Sequence, residues 1–241
     1  MMDLKLISEK INGNMEYFEC IDSTSLYLKR CIAEKSFVPS LVIAKEQTNG
    51  QGRVGKEFYS PRGTGLYMTF SFKKEALPSL HLTPRVALAV AEAIGTVASV
   101  SCQLKWVNDI YFNGGKICGI LCQNVEDYIL IGVGINVEKP SYIPNDLSFR
   151  FQSIYDVCES GVYSDLVIQT YEKILEYSFV SDQEVVKRYR ELCLHINSPV
   201  SIMYNGSEVL GVCRGIDDGF SILIESEGII NSYSSGILKL L

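Results

Sequence analysis

Only two histidines, His81 and His195, and one tryptophan, Trp106, occur in the 241 residues. Neither histidine has ligand spacing to a cysteine, so the Cys/His pattern of a structural zinc site is excluded. The eight cysteines are scattered from Cys20 to Cys213 and form no C-x-x-C pair. Each stands among apolar neighbours, which reads as reduced, mostly buried thiols in a cytosolic protein. Net positive charge is missing as well. Lys and Arg number 22 against 28 Asp and Glu, for a formal charge of −6 and a pI near 5.1. The global positive field that nucleic-acid binding exploits is therefore absent, although a local basic site remains open. No apolar run reaches transmembrane length, and "MMDLKLISEKINGN" lacks the apolar core of a signal peptide. The expectation is a cytoplasmic protein with neither a membrane nor a nucleic-acid partner.

What is present is enough to bury a core: 47% hydrophobic and 21% charged residues, in one large domain or a domain with a small appendage. "MEYFECI" (Met15–Ile21) reads as a strand. "DSTSLYLKRCIAEK" offers Asp22 or Ser23 as helix N-cap before Leu26, Tyr27, Cys31 and Ile32 at helical spacing. "SLVIAKEQ" and "GTGLYMTFSF" read as strands. "TPRVALAVAEAIGTVASV" predicts a helix capped by Thr83 with Pro84 at its first position. Short strands follow, "QLKW", "DIYFNGGKICGILCQNV" with an Asn-Gly-Gly hairpin at Asn113–Gly115, and "YILIGVGINV". The stretch from Glu138 to Ser160 is loop-like, and helices are expected near residues 164–179 and 182–194. From Ser198 onward, short strands alternate with Asn-Gly, Asp-Gly and Glu-Gly turns, the pattern of a small all-β barrel appended to an α+β domain.

The loop "NGQGRVGKEF" (Asn49–Phe58) matches both G-x-G-x-x-G and most of G-x-x-x-x-G-K. Either nucleotide motif requires the loop to open directly into a helix, whose N-terminal amides bind the phosphate. Pro61, Gly63 and Gly65 forbid that helix here, and Glu57 stands where a P-loop needs Ser or Thr. Both matches are coincidental. Arg53 and Lys56 among glycines still describe an anion-binding loop, because bare backbone lets amide donors approach a ligand closely.

Taken in order along the chain, five segments resemble the biotin protein ligase family. "IDSTS" (Ile21–Ser25) is similar to its I-D-S-T-N. "EQTNGQGRVGKEFYSPRGTGLYMTF" resembles its G-R-G-R-x-G-R-x-W-x-S-P loop and following strand. "KWVNDIY" (Lys105–Tyr111) resembles K-W-P-N-D-[IL], "GKICGIL" (Gly115–Leu121) R-K-[LI]-x-G-I-L, and "GVGINV" (Gly132–Val137) G-x-G-I-N. The resemblance implies an α+β fold: a mixed-sheet catalytic domain of the biotin/lipoate ligase type over residues 1–195, and an SH3-like β-barrel over 196–241.

It also implies the chemistry. ATP, with Mg²⁺, activates biotin to biotinyl-5′-AMP with release of pyrophosphate. The biotinyl group then passes to one lysine of a biotin carboxyl carrier protein or domain, with no prosthetic group involved. A carboxylate attacking a phosphate brings two anions together, so cations and amide donors must neutralise the developing charge. On that basis Lys116, Arg53, Lys105 and Asp109 are the expected catalytic residues, with Asp109 the expected base for the acceptor lysine. Ser23, Thr24, Ser25 and Gln47 are expected at the ureido ring. Gly50, Gln51, Gly52, Arg53 and Lys116 complete that biotin site with Gly119, Leu121, Gly132 and Gly134. Gly52, Arg53, Phe58, Asn108, Lys116 and Asn136 are expected at the adenylate, with Asn136 or Asp109 on its Mg²⁺ side.

Trp106 alone reads as core, and Ser23 serves equally as a helix cap. Gln51, Val54 and Lys56 stand where the family has arginines, Phe58 where it has Trp and Val107 where it has Pro, so the loop is less basic than in relatives. The family's longer members carry a winged-helix DNA-binding domain ahead of the first strand. That strand begins here at Met15, which implies a ligase without operator binding. Two rival classes remain: a lipoate ligase or octanoyl transferase, and a non-catalytic biotin-binding regulator. An exposed sheet edge would pair with the carrier or with a second subunit in a homodimer.

Overall fold

The computed structural model describes every residue except Met1, Asn12, Pro78, Ser79 and Phe149. Seven strands form one mixed sheet: β1 (Met15–Phe18), β2 (Leu41–Ala44), β3 (Gly65–Lys73), β4 (Gln103–Lys105), β5 (Asp109–Phe112), β6 (Gly115–Val125) and β7 (Tyr128–Asn136). Their order is β1-β2-β3-β7-β6-β5-β4. Only β1 and β2 run parallel. The helices are α1 (Leu4–Lys10), α2 (Thr24–Ala33), α3 (Leu82–Ala98), the short α4 (Asn145–Ser148), α5 (Val162–Ser178) and α6 (Asp182–Leu192). The strands β8 (Pro199–Tyr204), β9 (Ser207–Ile216), β10 (Ile222–Ser226), β11 (Ile229–Tyr233) and β12 (Ile237–Leu240) make a second, antiparallel sheet in the order β11-β10-β9-β8-β12.

Strand alternation decides which face of the large sheet is buried and which is left for a site. Along β7, Ile129, Ile131, Val133 and Ile135 enter the main core beneath α3 and α5. On β3, Leu66, Met68 and Phe70 do the same. The opposite face carries Leu130, then Gly132, Gly134 and Asn136. Helix α2 covers the Leu130 end with Leu28 and Ile32.

Several local expectations change. The first strand stops at Phe18, and Ile21 makes only an isolated bridge to Gln47. Helix α3 begins two residues before Pro84, with His81 as its cap in a left-handed conformation; Thr83 lies inside the first turn and caps nothing. Proline is tolerated there because the first amides of a helix lack internal partners anyway. Helices α1 and α4 were not anticipated, and α4 interrupts the stretch expected to be loop, in which Phe149 lies outside the described residues. Ser23 does cap α2, its Oγ accepting from Leu26 N at 3.5 Å. The β5–β6 turn has φ of 48° at Asn113 and 78° at Gly114, the left-handed pair that a two-residue type I′ hairpin requires.

The two sheets meet around Phe220. Its carbonyl accepts from Trp106 Nε1 at 2.8 Å, while its ring lies against His81 at 4.9 Å and Tyr189 at 5.7 Å. Arg190 Nε donates to Ile216 O at 2.7 Å, so α6 is tied to β9. Between α6 and β8, His195 is fully buried beside the Cys193 thiol. Burial, reinforced by the charge of Lys105, pushes the His195 ring down to about 4.

A neutral buried ring binds its proton only on unfolding, so its stabilisation is complete above about pH 6.5 and declines as pH falls toward 4. Urea unfolding at about pH 7 and about pH 4.5 should show wild type losing about 2 kcal/mol more than His195→Gln. Equal losses would mean that another group carries the titration.

Candidate functional site

One register row crosses the open face of the large sheet. Lys105 pairs with Asp109, Asp109 with Gly119, Gly119 with Gly134 and Gly134 with Tyr67. The two central members have no side chain, so the row sags in the middle and opens a cavity of about 260 Å³. Every residue expected at the site lines this cavity except Gly50. Gly50 is buried behind it, its carbonyl accepting from Phe58 N at 2.7 Å.

The end nearest α2 is neutral and rich in hydrogen-bonding groups. Gln47 Oε1 accepts from Thr24 N at 2.9 Å and Thr24 Oγ1 at 3.2 Å. Its Nε2 donates to Ser60 Oγ at 2.9 Å, which fixes the amide's orientation. Thr24 and Thr69 hydroxyls meet at 2.8 Å, and Ser25 Oγ donates to Gln123 Oε1 at 3.0 Å. As a cap, Ser23 uses a lone pair and keeps its hydroxyl proton for donation. Leu121 and Gly132 continue the wall as apolar surface.

The other end is basic. Lys116 Nζ donates to Asp109 Oδ1 at 2.7 Å with both side chains half-buried, and it hangs 5.6 Å from the Phe58 ring centre. Arg53 Nη1 donates to Asn108 Oδ1 at 3.0 Å, and Asn108 Nδ2 to Ile120 O at 2.9 Å, so the loop arginine is tied to the sheet. Lys56, Arg150 and Lys239 border the same end. Six cations thus face two carboxylates, Asp109 and Glu57, in a chain of net charge −6. Burial holds the Lys105 ammonium below its ordinary range; Asp109 opposes that pull, while Lys116, Arg150 and Lys56 add to it. Asn136 Nδ2 donates to Lys116 O at 3.1 Å and Gln152 O at 3.0 Å, which makes it a brace for the backbone that carries Lys116. Trp106, read from sequence as core, is buried and also touches the cavity wall.

The glycine loop folds as a small hairpin, with Gln51 bridged to Glu57 and Gly52 N donating to Lys56 O at 2.7 Å. Val54 occupies its tip at φ 54°, three-quarters exposed. Strand β3 follows, not a helix. The loop lays Phe58 directly on the glycine pair: a Cβ on Gly134 would stand 2.4 Å from that ring, and one on Gly119 would stand 2.9 Å from it.

Sequence reasoning passed over Thr69, which lines the cavity, Ser60, which holds the Gln47 amide, and two remote segments: Leu147, Arg150 and Phe151 at the mouth, and Gly236–Lys239 at the start of β12. Thr69 was legible as the alternate neighbour of Met68 on β3. The remote segments carried no local signal. The whole arrangement fits an elongated ligand with a neutral, hydrogen-bonding head, an apolar body and an anionic far end.

The model of the biotin/lipoate A/B protein ligase family matches residues 17–136. The chain is 28% identical over 253 residues to the bifunctional ligase/repressor BirA of Escherichia coli K12, covering 98% of this chain and 77% of that protein. It is 26% identical over 205 residues to the biotin–[acetyl-CoA-carboxylase] ligase of Mycobacterium tuberculosis, covering 81% and 77%. Among solved structures, the biotin protein ligase of Aquifex aeolicus in complex with biotin and ATP superposes with a TM-score of 0.80 at 25% identity, over 95% of this chain and 98% of that one.

Gly134→Ala must expel the Phe58 ring. It is expected to destabilise the chain by about 1–3 kcal/mol in urea unfolding, and by less in a Phe58→Ala background. An identical cost with and without the ring would show that Phe58 does not rest on this glycine.

Proposed function

The chain belongs to the biotin protein ligase family and is an enzyme of that kind, and from that premise we propose that it carries out two half-reactions in the one cavity. In the first, the biotin carboxylate attacks the α-phosphorus of ATP. The bond to the pyrophosphate oxygen breaks, leaving biotinyl-5′-AMP. In the second, a lysine of a biotin carboxyl carrier protein takes the biotinyl group and AMP departs. The observation that carries this reading is the junction at Lys116. There the neutral, hydrogen-bonding half of the cavity ends and the cluster of cations begins.

The ureido ring fits the Ser23–Thr24–Gln47 end, whose donors and acceptor are already oriented. Biotin's thiophane and valeryl chain then lie along Leu121, Gly132 and Gly134. That brings the carboxylate to Lys116 and Arg53. Two cations at this point reduce the repulsion between carboxylate and α-phosphate, and the planar guanidinium can hold either group through two parallel hydrogen bonds. Asn108 sets the angle of that guanidinium. Phe58 flanks the acyl–phosphate junction, and an adenine ring reaching the mouth meets Phe151 as well. Mg²⁺ enters with the nucleotide's phosphates, which supply most of its oxygen ligands. Asp109 Oδ1 accepts from Lys116, and Asn136 Nδ2 donates to two carbonyls. Among the described residues, no group of three or more His, Cys, Asp or Glu side chains stands together to hold a metal ion, and no helix is long and apolar enough to cross a membrane.

We assign ligase activity alone to these residues, because an acidic chain works against duplex binding. Gln51 donates to Asn49 O at 2.8 Å and stabilises the loop's base. It supplies no charge to the cavity, so the adenylate is gripped chiefly by Arg53 and Lys116.

ATP–pyrophosphate exchange driven by biotin and by lipoate tests the assignment. Biotin should drive exchange and lipoate should not. Arg53→Ala should lower the biotin-driven rate by about 10²-fold, as loss of a charge-stabilising donor does. Exchange with lipoate only would reassign the substrate, and exchange with neither acid would end the ligase reading.

A further inference from the structure

The floor of the cavity holds two lysines and one carboxylate. Asp109 pairs across the β4–β5 ladder with Lys105 and reaches Lys116 Nζ at 2.7 Å. The carboxylate is thus committed to Lys116. Lys105 makes no ion pair within 4.0 Å among the described residues; its Nζ stands 6.0 Å from the Tyr111 ring centre. The groups around it come from every neighbouring element: Asp109 and Tyr111 on β5, Lys116 on β6, Lys56 from the glycine loop, Arg150 beyond α4, and His195 behind it. All but Asp109 are cationic or neutral. An ammonium placed there is partly buried beside like charges, with its nearest carboxylate engaged by Lys116, and burial lowers its basicity although Asp109 opposes the shift.

We infer that Lys105 is the catalytic base of the transfer step, taking the proton from the incoming carrier lysine, a role for which the sequence had suggested Asp109. This rests on the two half-reactions proposed above. The incoming side chain arrives as an ammonium, which cannot attack. It gives one proton to the Lys105 amine, and its nitrogen lone pair then forms the new bond to the acyl carbon of biotinyl-AMP. The bond from that carbon to the phosphate oxygen breaks, and AMP leaves with the electron pair. The nitrogen's second proton passes to solvent, as does the proton on Lys105, which restores the base. An ordinary carboxylate is several pH units too weakly basic for the first proton transfer, whereas a second amine of lowered basicity is well matched to it. Lys116 and Arg53 hold the phosphate.

The test supplies preformed biotinyl-AMP to the full chain and compares two nucleophiles. One is the carrier-domain lysine; the other is hydroxylamine, which is unprotonated at neutral pH and needs no base. In both Lys105→Met and Lys105→Arg, the ratio of lysine transfer to hydroxamate formation should fall about 10²-fold at neutral pH. The deficit should close as pH approaches the free lysine value of about 10.4, where the acceptor deprotonates unaided. Arginine keeps the charge and cannot accept a proton, so Lys105→Arg separates base from electrostatic anchor. A wild-type ratio in Lys105→Arg would overturn the inference. So would an equal slowing of both nucleophiles at every pH. Failure of the unmodified chain to transfer from biotinyl-AMP to either nucleophile would instead overturn the ligase reading beneath it.

Discussion

Two glycines facing each other across β6 and β7, Gly119 and Gly134, are the constraint on which the site depends. A sheet covered on both faces offers no room for a ligand. Here α2 covers only the Leu130 end of the open face, and beyond it the strands run bare. The bareness lets Phe58 lie flat on the backbone and lets Lys116 reach back over Gly119, whose Cβ would come within 3.1 Å of its ammonium. Any side chain at either position would push the loop off the floor. The glycine loop, the cations of the cavity and the apolar channel are therefore parts of one packing arrangement.

The electrostatics follow from that geometry. An acidic chain gathers six cations along one cavity, with Lys56, Arg150 and Lys239 at its exposed rim, and gives them two carboxylates. Such an excess is unfavourable until an anion enters, and a mixed carboxylate–phosphate anhydride is the kind of anion that offsets it. Lys239 belongs to this set although it lies on β12 of the second sheet. Its position relies on the junction at Phe220, where Trp106, Tyr189 and His81 converge. Trp106 immediately follows Lys105 in the chain, so the contact that docks the small sheet also steadies the end of the register row at Lys105.

Where information was local, the sequence could be read. The cap at Asp22 or Ser23, the hairpin at Asn113–Gly115 and the strand in "YILIGVGINV" each depend on a few adjacent residues, and each is found, with Ser23 as the cap. The nucleotide-fold readings of "NGQGRVGKEF" failed on Pro61 and the glycines after it, and the structure has a hairpin and a strand there. What was lost was long-range. Nothing near Gly236 or Leu147 says that those segments close the mouth of a cavity built on β6 and β7. The cap of α3 was misplaced because Thr83 has the better local chemistry. The helix starts instead after His81, whose ring lies against Phe220, over a hundred residues away in sequence.

The central claim is that the glycine loop, the β6–β7 floor and the β12 strand together enclose one acyl-adenylate. Amide hydrogen exchange with a non-hydrolysable biotinyl-adenylate analogue tests it most directly. Protection should appear together in residues 50–58, 115–121, 132–136 and 236–239, and should exceed that given by biotin alone in the first and last of these. Unchanged exchange at 50–58 and 236–239, or protection confined to another face of the sheet, would contradict the account.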